Sequence, residues 1–395
     1  MATFAEEKEL AIRNLLKTAP KPQLHIHLDG SLSFDFIKSS AKRMKIQEPD
    51  RFALLFPLNI ESLSENEISD YIWSLKEVQH IQGDIVSGNG NWKRFDFCNQ
   101  FLQTKLDLKE AVYDLVMRQH REYGVNYIEI RFAPKLHNLC GLSDKEIVAS
   151  TLDGFESAKE DLSKIGVHLN GGLILCALRS HSVEDAENIL KLVLETNALG
   201  FDIAGDEGSY PLMLFEGVLR KAKNQGCFIT VHAGEWGSLD YPTVQDNLRL
   251  AVDIGVNRIG HGLDLKNSPE NLINDVLLKN IGVEVCLTGN CGNPNRCTGY
   301  ADHPIKYMLE KKIKVCGLNC DNTLLSGNRI IGRPDPLTEC VRALLIVKVS
   351  PNALVEIIEN AYKSGFQNDA LNQGIESGKV WREHYLPKLI EIMNE

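Results

Sequence analysis

Short apolar runs recur along the chain, and most are followed by a stretch of helical spacing. The runs are QLHIHLDG (23–30), VNYIEIRFAP (125–134), HLNGGLILCAL (168–178), GFDIAGDE (200–207), CFITVHAGE (227–235), NRIGHG (257–262), GVEVCLTGN (282–290) and IKVCGLNCD (313–321). Segments between the later runs, such as SVEDAENILKLVLETNA and YPLMLFEGVLRKAKNQG, place apolar residues three and four apart, the spacing of amphipathic helices. Strand and helix alternating through all eight runs predict an α/β fold, a (β/α)8 TIM barrel. Near-continuous apolar strands fit a sheet covered on both faces.

The spacing is uneven once. About ninety residues separate the first run from the second, far more than a crossover helix needs. FALLFPLNI, SDYIWSLKEV and RFDFCNQFLQTKL fall in that stretch. Residues 31–122 are therefore expected to form a helical insertion within a single domain, 1–395, either padding the barrel or capping its mouth. Phe95 and Phe97 are candidate pocket walls. Extra helices are expected after the eighth strand, as in NALVEIIENAYKSGF.

Composition narrows the classes. Hydrophobic residues make up 43% and charged residues 24%, ordinary values for a globular protein. The net charge of −10 argues against a nucleic-acid partner. No apolar run reaches the length of a membrane span, so no membrane partner is expected. The start, MATFAEEKEL, lacks the basic and apolar segments of a secretory signal, which leads to a cytoplasmic expectation. Ten cysteines without a C-x-x-C pair read as free thiols packed as small hydrophobes.

Candidate chemistry sits where the strands end, the face on which barrels of this type carry their active sites. Strand one ends with His25, His27 and Asp29, strand four with AGDE, and strand five with His232 and Glu235. Strand six ends with His261, and strand eight with Cys320, Asp321 and Asn322. Residues i and i+2 of a strand project to one side, roughly 7 Å apart. His25 and His27 can thus face one ion, joined by His232 and Asp321. Three nitrogens and one oxygen suit zinc best, with other divalent first-row ions open. No lysine stands at the end of strand four to bridge two metals, which favours one and leaves His261 free for the nucleophile. Glu235, three residues beyond His232, is a candidate general acid/base. Gly205 can expose its backbone N–H to a flat ligand. H-E-x-x-H, G-x-S-x-G, a complete Walker A and the H-x-E/P-C-x-x-C deaminase pattern are absent.

At these residues the sequence resembles the adenosine deaminase family of metal-dependent barrels. LHIHLDGSL is similar to its first-strand signature, DIAGDE to its fourth, TVHAGE to its fifth, RIGHG to its sixth and LNCDN to its eighth. The resemblance implies one zinc ion per chain on His25, His27, His232 and Asp321. It implies Glu235 as proton donor, and His261 with Asp321 as the groups that orient the nucleophile. It also implies substrate contacts from Asp29, the Gly205 backbone and Asn322, with His27 near the ribose. The implied activity is hydrolytic deamination of adenosine and 2′-deoxyadenosine to inosine and ammonia, in purine salvage. The partner is then a small purine nucleoside, and the oligomeric state stays open. Many members carry aspartate where this chain has Asn322, and often serine where it has Gly289. Alternatives are a deaminase of 5′-methylthioadenosine, adenine or an N6-substituted AMP, and a non-catalytic nucleoside-binding relative. An amide or lactone hydrolase is disfavoured by the missing lysine.

Overall fold

The computed structural model describes residues 4–55, 59–75, 78–81, 84–87, 92–237, 241–291 and 297–394. Eight parallel strands follow one another around a barrel. They are β1 (Lys21–His27), β2 (Val125–Phe132), β3 (Asn170–Leu178), β4 (Gly200–Ala204), β5 (Phe228–Ala233), β6 (Arg258–His261), β7 (Gly282–Val285) and β8 (Lys314–Leu318). Each pairs with the next in chain order, the topology of a (β/α)8 barrel.

The ring closes between β8 and β1 largely through side-chain amides. Gln23 Nε2 donates to Leu318 O, Leu24 N–H donates to Asn319 Oδ1, and Cys320 N–H donates to Gln23 Oε1. Just above, Asp321 N–H donates to His25 O, and His27 N–H donates to Asp321 O. One candidate site residue therefore completes the barrel wall.

The outer helices begin where the sequence supplies caps. Asp144–Lys164 starts at a Ser143/Glu146 capping box, and Val183–Glu195 at the equivalent Ser182/Asp185 pair. Their apolar stripes, including Phe155 and Leu162 on one and Ile189 and Leu190 on the other, are buried. The seventh apolar run departs from its expected shape. It is strand only to Val285, and Leu287–Cys291 turns into a short helix at the rim.

The stretch after β1 holds helices Phe34–Gln47, Pro49–Leu55, Glu65–Ser74, Trp92–Asn99 and Lys105–Tyr123. It also holds an antiparallel hairpin, Val78–Ile81 with Asp84–Ser87, which a purely helical expectation did not include. Lys105–Tyr123 packs on Asp144–Lys164 and leads through Gly124 into β2, the place of a crossover helix. After β8 come helices Pro336–Arg342, Pro351–Lys363, Ala370–Val380 and Leu386–Asn394, the last packed against the N-terminal helix Phe4–Leu16. No helix among the described residues is long and apolar enough to cross a membrane. All ten cysteines are free thiols, and Cys140 is the exposed one.

The barrel interior is not apolar. Leu24, Ile26, Ile128 and Ile130 join the hydrophobic core, whereas Glu129, Arg131, Asp202, Arg258 and Glu284 are fully buried in a second, ionic one. Arg131 pairs with Asp202 at 3.1 Å and Glu284 at 2.8 Å, and Arg258 with Glu129 and Glu284. This corrects the reading of the strands as apolar runs with polar ends.

Candidate metal centre and active site

His25 and His27 stand at the end of β1, His232 on β5, and Asp321 three residues beyond β8. The ligating atoms of His25, His27 and His232 lie within 4.8 Å of one another, as do those of His25, His261 and Asp321. Asp321 Oδ1 is 3.7 Å from His25 Nε2 and 3.6 Å from His27 Nε2. The floor of the site orients the rings. His25 Nδ1 lies 2.8 Å from Glu284 Oε2, and His232 Nδ1 lies 3.2 Å from Asp202 Oδ1. Each carboxylate takes an Nδ1 proton, which leaves the Nε2 lone pair aimed into the mouth, the usual support for a histidine ligand.

These residues fit a divalent ion. His25 Nε2 is buried without a hydrogen-bond partner. His27 Nε2 and His232 Nε2 approach to 3.2 Å. Tetrahedral metal–nitrogen bonds of about 2.0–2.1 Å put ligand nitrogens about 3.3 Å apart. Burial holds His25 and His27 well below the usual imidazole pKa, with nearby positive groups adding to it. Both are thus neutral, as ligands must be. Burial pulls His232 down too, but Asp202 outweighs it and makes that ring more basic.

The backbone is strained where it delivers these groups. His261 (φ 66°) and Asp321 (φ 59°) occupy the left-handed region, a cost of about 1–3 kcal/mol each that the surrounding contacts must offset. Asp321 Oδ2 accepts from Ser326 Oγ at 3.1 Å. A Cβ at Gly289 would lie 2.7 Å from that same oxygen, so a larger residue at this position would crowd the aspartate.

Glu235 follows β5 on a loop held by a buried carboxylate. Glu207 Oε1 accepts from Gly234 N–H (2.8 Å), and Oε2 from Glu235 N–H (2.9 Å) and Trp236 N–H (3.2 Å). Asn247 Nδ2 donates to Glu207 as well. Glu235 Oε1 ends 3.6 Å from His261 Nε2. Asp29 lies just past β1, buried, with one oxygen unpartnered and its pKa pushed up by burial to about 7. Gly205 follows β4 at φ 109°, a conformation that favours glycine. Asn322 packs over Gly30, and its Nδ2 donates one proton to Ser326 Oγ at 3.4 Å. The half-buried Phe95 ring stands 6.5 Å from His27, whereas Phe97 packs on Tyr71 and Phe101 away from the site.

Sequence reading missed Arg131, Asp202, Glu207 and Glu284, which orient the site from below and behind. Arg131, Asp202 and Glu284 leave a trace in the sequence as polar residues alternating with apolar ones in YIEIRF, VEV and FDIA, a period that is the same for a charged interior and a solvated face.

Fold and donor set together define a barrel hydrolase with a candidate metal site at its mouth. The sequence matches the adenosine deaminase family over residues 20–377. An adenosine deaminase from Enterococcus faecalis is 32% identical over 375 residues, covering 93% of this chain and 98% of that one. The chain belongs to the adenosine deaminase family. Among solved structures, an amidohydrolase from Burkholderia ambifaria with bound zinc superposes with a TM-score of 0.73 at 20% identity, covering 100% of this chain and 95% of that one. The N6-methyl-AMP deaminase of Arabidopsis thaliana gives 0.72 at 19% identity over 95% and 99%. At such identities the likeness concerns the fold.

Proposed function

We propose that this protein deaminates adenosine and 2′-deoxyadenosine to inosine and ammonia, with one zinc ion per chain on His25, His27, His232 and Asp321. The observation that carries this reading is the convergence of three imidazoles and a carboxylate beside the separately anchored Glu235. Three nitrogen donors and one oxygen donor suit zinc. An ion held there supplies Lewis acidity and a water that ionises near neutral pH.

The chain's own groups carry out the remaining steps. Glu235 gives a proton to purine N1, which makes C6 electron-poor. His261 and Asp321 hold the attacking oxygen, whose remaining proton passes to the 6-amino group as the C6–N bond breaks, so that ammonia leaves and the C6 carbonyl of inosine forms. Asn322 has a second amide proton for purine N7, an acceptor, and an amide donates at any pH. The Gly205 N–H meets the purine edge. Asp29 accepts from a ribose hydroxyl near His27, and its ionised form repels a 5′-phosphate. Within the single domain, the described helices between β1 and the crossover helix Lys105–Tyr123 act as a cap, with Phe95 over His27 as its wall. The free thiols agree with a cytoplasmic enzyme of purine salvage.

The test is to follow the loss of substrate absorbance with zinc-loaded protein and adenosine, 2′-deoxyadenosine, 5′-methylthioadenosine, adenine and AMP. The two nucleosides should show the highest kcat/KM. A preference for AMP or adenine contradicts the proposal.

A further inference from the structure

One buried chain of hydrogen bonds behind His261 has no part in the reading above. It begins at a donor that cannot change role. Ile305 N–H donates to His303 Nδ1 at 3.2 Å. His303 is buried, and burial pushes its pKa down to about 3, so the ring is neutral. With Nδ1 accepting, its single proton sits on Nε2. That nitrogen lies 3.2 Å from Asn290 Oδ1. The carbonyl oxygen of Asn290 accepts there, which turns its Nδ2 toward His261 Nδ1 at 3.0 Å. Asn290 is completely buried, so bulk solvent does not compete for its amide.

We propose that Asn290 and His303 are positioning residues that fix His261 with its proton on Nε2, so that His261 donates to the attacking oxygen rather than accepting from it. The logic runs through every link. An amide N–H can meet only an unprotonated Nδ1, so neutral His261 keeps its proton on Nε2, the atom 3.6 Å from Glu235 Oε1. The other neutral tautomer of His261 would place Nδ1–H against the Asn290 NH2. Reversing that amide would place its NH2 against the His303 Nε2–H. The Ile305 backbone blocks the last adjustment. The relay therefore opposes the other tautomer. It also gives the short rim helix Leu287–Cys291 a task, since this helix carries Asn290 to within reach of the end of β6.

This inference rests on the role given to His261 under the proposed function, and the experiment separates the two. Asn290→Asp keeps the side-chain volume but can only accept. It should draw a proton onto His261 Nδ1 and lower kcat on the order of a hundredfold, the scale on which a wrongly protonated catalytic histidine fails. KM and metal content should stay close to wild type, which a merely structural role would not predict. His303→Ala should lower kcat by less. In 15N-histidine-labelled wild-type protein, long-range 1H–15N spectra should show His261 protonated at Nε2 alone, a readout that needs no variant. Protonation at Nδ1 in the wild type overturns the inference. So does an Asn290→Asp enzyme of normal kcat beside an inactive His261→Ala. Full activity in His261→Ala instead overturns the role of His261 itself.

Discussion

Below the mouth of the barrel, Arg131 and Arg258 meet Glu129, Asp202 and Glu284 in a closed set of ion pairs. At the mouth itself, His25, His27 and His232 turn lone pairs toward one another and toward Asp321. Both layers are polar and buried, but the lower one pairs its guanidiniums with carboxylates of the chain itself, leaving Arg131 Nε without a partner. Against the pull of burial, the two guanidiniums carry Glu284 below the usual carboxylate range. The upper layer brings the Nε2 lone pairs of three imidazoles together beside a carboxylate, an arrangement that a bound cation would stabilise. Asp202 and Glu284 belong to both, accepting from arginine below and from imidazole above. The floor is thus what fixes the tautomers of the proposed ligands.

Four changes would break or sharpen that contrast. Arg258→Met leaves Glu129 without its cation and Glu284 with Arg131 alone, and should cost about 3–5 kcal/mol of stability, read by chemical denaturation. An unchanged midpoint would mean the lower layer is not held by its ion pairs. Glu235→Gln touches neither layer and should keep the ion while kcat falls on the order of a hundredfold or more, read by ammonia release. Asp202→Asn acts between the layers and should weaken metal binding by about 10–100-fold, read by competition with a chelator.

The smallest effect concerns a carboxylate outside both layers. Glu339 is fully buried and accepts from Thr288, with Arg342 at 3.7 Å. Burial raises its pKa to about 7, in spite of Thr288 and Arg342. The folded protein therefore binds this proton more tightly than the unfolded chain. Its contribution to stability is fully present below the ordinary glutamate range and is lost as pH rises toward 7. Glu339→Gln should flatten that part of the stability curve, read as denaturation midpoints between pH 4 and 8. A variant with the wild-type slope would assign the pH dependence elsewhere.

The rim was legible in the sequence because histidines and carboxylates at strand ends interrupt apolar runs in a way that packing does not explain. HIHLDG, HAGE, GHG and NCDN each place their side chains near where the strand order puts them. The lower layer was not legible. In YIEIRF an inward Glu129 and Arg131 alternate with outward isoleucines, and this period looks the same whether the polar face meets water or other charges. Glu207 was quoted within AGDE, but its three backbone donors come from a loop 27–29 residues later. Asn290 was hidden because LTGN reads as a continuation of strand, and the turn into helix at Leu287 is a tertiary choice.

The measurement that bears most directly on the mouth is elemental analysis of purified protein, paired with deaminase activity, for the wild type and His232→Ala. One zinc per chain in the wild type, with ion and activity lost together in the variant, is the predicted result. Undiminished deamination by chelator-stripped, ion-free protein would contradict it.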